Sequence, residues 1–181
     1  MPTPMTYAPA DYASSPSTAA ADDDVLAQAF ERLLQAVRAG ERAFVEAYLQ
    51  KGGNPDLVSP RGDSLLTLAA YAGHAPLVAL LLSFGADPAR QNAKGHTALA
   101  GSAFQGHVDA VRALVAGGAD VDGRTADGKT ALMFAAMFNR TEAVTTLLAL
   151  GADKEARDAQ GARAADYAQM MGAEDTRALL A

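Results

Sequence analysis

One stretch of this sequence has the residue types and the spacing of a phosphate-binding loop. Gly123-Arg124-Thr125-Ala126-Asp127-Gly128-Lys129-Thr130 matches G-x-x-x-x-G-K-[ST] at every fixed position. In that chemistry, backbone N–H groups at a helix start cradle the phosphates and the lysine adds charge. The loop must also follow a buried apolar strand, and here the preceding residues are Ala116-Gly117-Gly118-Ala119-Asp120-Val121-Asp122. No apolar run ending in Asp offers a magnesium ligand elsewhere. The match is therefore read as a decoy, and a nucleotide-binding enzyme stands as the alternative. The three histidines, His74, His96 and His107, show no i, i+4 pairing or adjacent acid cluster, so no zinc site is expected. Asp22-Asp23-Asp24 are consecutive, and consecutive side chains do not converge on a cation without a folded loop. No nucleophile elbow brings Ser, His and Asp together. Asn139-Arg140-Thr141 is a glycosylation sequon, which matters only in a secreted chain. No catalytic residue, cofactor or metal is expected.

The bulk properties point the same way. Half of the 181 residues are hydrophobic, enough for a real core, and alanine is the commonest residue. The absence of cysteine excludes disulfides, thiolate-bound zinc and cysteine nucleophiles. A net charge of −6 argues against a nucleic-acid binder. No run approaches the roughly 18 apolar residues of a membrane span. The N-terminus has neither a basic nor an apolar signal region. A cytoplasmic chain, monomeric by itself and touching neither nucleic acid nor membrane, is the expectation.

Residues 1–24 are rich in Pro, Ser, Thr and Ala, and they lack regular apolar spacing. They are expected to be a disordered tail, with Asp24 as the N-cap of the first helix. From there the chain repeats every 33 residues. Gly62, Gly95, Gly128 and Gly161 form one column, and Gly52, Gly85, Gly118 and Gly151 another. A third column is Gly40, Gly73, Gly106, Asn139 and Gly172, in which asparagine is the non-glycine residue best suited to a left-handed backbone. Leu66, Leu99 and Leu132 mark a first helix in each unit. Val45, Val78, Val111 and Val144, with Leu81, Leu114 and Leu147, mark a second. Ser64, Thr97 and Thr130 stand where each first helix needs an N-cap. Helices of two to three turns are marginal alone, so stability must come from stacking the units.

Gly95-His96-Thr97-Ala98-Leu99, Leu68-Ala69-Ala70-Tyr71-Ala72-Gly73-His74 and Gly118-Ala119-Asp120-Val121-Asp122 resemble the ankyrin repeat. The resemblance implies an all-α ankyrin-repeat solenoid with short hairpin-like loops. Its expected parts are an N-terminal cap (25–58), repeats at 59–91, 92–124 and 125–157, and a C-terminal cap (158–181). The family's Thr-Pro-Leu-His departs here to Ser64-Leu65-Leu66-Thr67, Thr97-Ala98-Leu99-Ala100 and Thr130-Ala131-Leu132-Met133. The repeats also resemble those of short stand-alone bacterial ankyrin proteins. Some of these are encoded beside catalases, which would imply an accessory role in oxidative-stress defence.

What the resemblance implies for function is a non-catalytic module that binds a partner protein in a concave groove. Contacts in the family come from hairpin tips and from the two positions ending each first helix. Here those helix positions are Tyr71 and Ala72, Phe104 and Gln105, Met137 and Phe138, and Met170 and Met171, with Arg38 and Ala39 in the first unit. The tips supply Arg61, Asp63, Lys94, His96, Arg124, Asp127, Lys129, Arg157 and Gln160. The helix column is unusually apolar and aromatic, as an interface core would be. It would equally suit side chains tucked over the helix ends, or self-association.

Overall fold

The computed structural model describes residues 17–181, with side chains from Asp24 onward. Among them are ten α-helices, joined by turns and loops. The first, α1 (Ser17–Ala39), starts ahead of the expected Asp24 cap. Ala19, Ala20 and Ala21 have the highest helix propensity and carry the helix back through the Asp run. The rest of the expected tail, residues 1–16, lies outside the described residues. The chain divides at Arg32–Leu33 into two units, and the repeats lie in the second.

After α2 (Arg42–Gln50), the helices come in pairs. These are α3 (Leu65–Tyr71) with α4 (Ala75–Ser83), and α5 (Ala98–Gln105) with α6 (Val108–Ala116). Next are α7 (Ala131–Met137) with α8 (Thr141–Ala149), and α9 (Ala164–Met170) with α10 (Glu174–Leu180). First helices pack on first helices, α3 on α5 on α7 on α9, and second helices likewise, α2 on α4 on α6 on α8 on α10. The result is two helical layers with hairpin-like loops projecting from one side.

Each layer is held by a column of identical burial. Leu66, Leu99 and Leu132 are buried, as are Val45, Val78, Val111 and Val144, and Leu81, Leu114 and Leu147. Beside them Ala69, Ser102, Ala135 and Ala168 are fully buried, small enough for neighbouring first helices to approach closely. The Ser102 hydroxyl donates to Leu99 O at 3.0 Å, so its burial leaves no polar atom unmet. Ser64 and Thr97 act as N-caps, accepting the amides of Thr67 (3.1 Å) and Ala100 (3.2 Å). The amide of Thr130 instead donates to Met133 Sδ at 3.5 Å.

Between the helices of a pair the chain needs a left-handed residue next to an incoming side chain. Gly73 has φ +79°, and a Cβ there would lie 2.9 Å from the His107 ring. His74 reaches back in the same way, its Nε2 2.9 Å from Arg38 O, and Arg140 Nε donates to Phe104 O at 3.0 Å. These side chains staple each pair to the first helix before it. At the last interface the register position is Ala173, and the direction reverses. Asn139, left-handed at φ 52°, reaches forward to the Asp175 carboxylate (2.9 Å) and accepts the Thr176 amide (3.2 Å).

Candidate interaction groove

The loops are fixed before any partner arrives. Ser59, Asn92, Thr125 and Asp158 share one register position, and each accepts amides of its own hairpin. Asn92 Oδ1 takes those of Lys94 and His96, both at 3.0 Å, and Asp158 Oδ1 those of Gln160 and Ala162, both at 2.9 Å. The hairpins are then tied to one another. Asn92 Nδ2 donates to Asp63 Oδ1 at 2.8 Å, and Arg124 donates to Gly128 O (2.8 Å) and to Arg157 O in the next hairpin (2.6 Å). Arg157 in turn donates to Gly161 O at 2.7 Å.

This bonding explains the apparent phosphate loop. The amides of Gly123, Thr125, Ala126 and Gly128 donate to carbonyl oxygens, and that of Lys129 donates to Thr125 Oγ1. The Lys129 ammonium pairs with Asp127, lies 3.9 Å from Asp158 and sits 5.4 Å from the centre of the Tyr167 ring. These amides, which a phosphate loop would turn to its ligand, are thus already engaged within the stack. Among the described residues no group of three or more His, Asp or Glu is placed to hold a metal ion. No helix among them is long and apolar enough to cross a membrane.

Beside the hairpins, the ends of the first helices line a groove of about 790 Å³. Of the residues expected to contact a partner, Tyr71, Phe104, Met137 and Phe138 line it, with Arg61, Asp63, Lys94, His96, Asp127 and Lys129 from the tips. Gln105, Arg124, Arg157, Met170 and Met171 are not among its lining residues. Arg124 and Arg157 are turned to carbonyls, while Met170 and Met171 are exposed beyond the groove. The aromatic side chains form a ladder: Tyr71 stacks on Phe104 with centroids 6.1 Å apart, and Phe104 meets Phe138 edge-on at 4.3 Å. Contact within the ladder does not hide it, since Tyr71 is 48% exposed and Phe138 38%. His96 packs edge-on against Phe134 at 5.3 Å.

The floor lies one helical turn earlier and was not singled out from the sequence. It includes Leu68, Gly101 and Phe134, a single register position repeated every 33 residues. The spacing could have revealed it, because i and i−3 share a helix face and each stands three before Tyr71, Phe104 or Met137. Gly101 is the only glycine within a helix among the described residues. A Cβ there would touch only Tyr71 Cδ2, at an ordinary 3.5 Å, so neither strain nor crowding requires glycine. Such a glycine costs about 0.5–1 kcal/mol relative to alanine. Its effect here is a hollow in the floor.

The charges around the groove differ in how far they are satisfied. Hydrogen bonds from Lys129 and Thr125 hold the Asp127 carboxyl down at about 2, and Asp127 pushes the Lys129 ammonium up. Burial alone would raise Asp158, but the Tyr167 hydroxyl, the Ala162 and Gln160 amides and the Lys129 charge outweigh it and hold the carboxyl low. Burial and the Asp158 carboxylate raise Tyr167. Arg61 and Lys94 are exposed, and their side chains make no hydrogen bond or ion pair among the described residues.

A family model described as ankyrin repeats matches the chain in three copies, over residues 33–125, 77–158 and 102–181. No curated protein matches it.

Proposed function

The chain belongs to the ankyrin-repeat family, whose repeats are generally protein–protein interaction modules, and on that premise we propose that it holds a partner protein in this groove without catalysing a reaction. The observation that carries the reading is the aromatic ladder Tyr71–Phe104–Phe138, a run of rings left open to solvent along a preformed concavity. Exposed aromatic surface of this kind suits the core of an interface, and rigid rings lose little entropy when a partner covers them. Met137 extends the apolar strip, while Arg61, Asp63, Lys94, His96, Asp127 and Lys129 form its polar rim. Arg124 and Arg157 hold the hairpins that carry the rim.

The partner is met in the cytoplasm. The resemblance to short bacterial ankyrin proteins encoded beside catalases makes a component of oxidative-stress defence the first class to test. Affinity capture from the native host, wild type against Tyr71→Asp and Phe138→Asp, tests the groove. The partner should be lost from both variants while their melting temperatures stay near that of the wild type. Capture that persists in both folded variants would place the binding surface elsewhere.

A further inference from the structure

The hollow over Gly101 and the unpaired cations beside it specify the partner's chemistry, given the groove reading above. Leu68 and Phe134 flank the hollow along the floor, and Tyr71 and Phe104 line the same groove. The side chains around the hollow are one aliphatic and three aromatic, so it disfavours a charged side chain and accepts a large apolar one. Glycine weakens the helix at this point and no backbone geometry calls for it.

The rim decides the rest. Four cations line the groove, Arg38, Arg61, Lys94 and Lys129, against two carboxylates. Asp127 is paired with Lys129, while Asp63 accepts the neutral Asn92 amide and keeps its charge, one carboxylate against Arg38, Arg61 and Lys94. Lys129 is neutralised in the same contacts, whereas Arg61 and Lys94 have no partner among the described residues. The free charge at the groove is therefore positive, on a chain whose net charge is −6. We propose that the groove takes an acidic segment of a partner protein, with one large apolar side chain seated over Gly101 and flanking carboxylates on Arg61 and Lys94. A basic segment would meet like charge at the rim, and wrong-sign contacts of this kind exclude partners.

The test begins by panning a random library of peptides about 12 residues long, the length scale of groove-bound motifs, against the full chain at low salt. Enriched peptides should carry an aromatic or large aliphatic residue with Asp or Glu on both sides. Enrichment of basic peptides, or of peptides without an apolar anchor, overturns the proposal. One enriched peptide, labelled with fluorescein, is then titrated by anisotropy. Gly101→Met should weaken it by about tenfold or more, the scale of a lost anchor, while the melting temperature holds or rises. Arg61→Glu with Lys94→Glu should weaken it comparably and flatten its salt dependence. Unchanged affinity in either variant sinks the inference. If Tyr71→Asp abolishes binding while Gly101→Met does not, the groove reading survives and the anchored hollow falls. If Tyr71→Asp has no effect, or if no peptide is enriched, both fall.

Discussion

Gly101 and Tyr167 occupy the same register position two units apart, and they put it to opposite uses. At Gly101 the helix face carries no side chain, and the position lines the groove beside the Tyr71 ring. At Tyr167 a ring stands there, its hydroxyl donates to the buried Asp158 carboxylate, and the Lys129 ammonium lies over its face. One unit leaves its inner face unsatisfied at a cost in stability, and the other closes its own with a hydrogen-bonded network. In a repeat protein the backbone is nearly constant, so side chains at a few register positions decide which stretch binds and which holds the stack together.

The network around Tyr167 depends most on Asp158. Replacing Asp158 by alanine strands two amides and the Tyr167 hydroxyl and removes the second carboxylate near Lys129, and the expected loss is about 3 kcal/mol in urea unfolding, the scale of a broken buried charge network. A loss below about 0.5 kcal/mol, typical of surface sites, would remove the contrast with Gly101. Tyr167→Phe deletes one charge-assisted hydrogen bond and should cost about 1.5–3 kcal/mol.

Acid probes the same network. The Asp158 carboxyl is held below its ordinary value in the folded chain. Its contribution is therefore complete above the unfolded value of about 3.9 and is lost as pH falls through the lower folded value. Asp127, held at about 2, acts in the same direction, but at 45% side-chain exposure solvent screens its share. Denaturant midpoints should stay level from neutral pH down to about 5 and drop below about 4, where the carboxylates begin to titrate. In Asp158→Asn the drop should be shallower, and an equal slope would assign the acid sensitivity to other groups.

The smallest expected effect has the opposite sign. Gly101→Ala should stabilise the chain by about 0.5–1 kcal/mol, since alanine is the better helix former and its Cβ has room. A destabilised alanine variant would mean that the glycine is structural and that the hollow is incidental.

The glycine columns make the helix pairs legible in the sequence, because a left-handed turn restricts residue type so strongly; Asn139 at φ 52° is the case in point. The early start of α1 is hidden in the sequence because the Ala run lies among Pro, Ser and Thr, a composition that points to a disordered tail. The tips were identifiable as tips. That Arg124 would bond to a carbonyl 33 residues away, whereas Lys94 would bond to nothing among the described residues, depends on how neighbouring hairpins sit together. Local spacing does not encode that contact. The floor was missed for a related reason: Leu68 and Phe134 look like core residues, and a glycine draws attention in turns, not in helices.

Hydrogen–deuterium exchange of the chain with and without its captured partner bears most directly on the groove. Bound partner should slow exchange at residues 65–72, 98–105 and 131–138 and at the hairpin tips, with the second helices, α4, α6 and α8, unchanged. Protection confined to those second helices would contradict the account, because it would place the partner on the opposite layer of the stack.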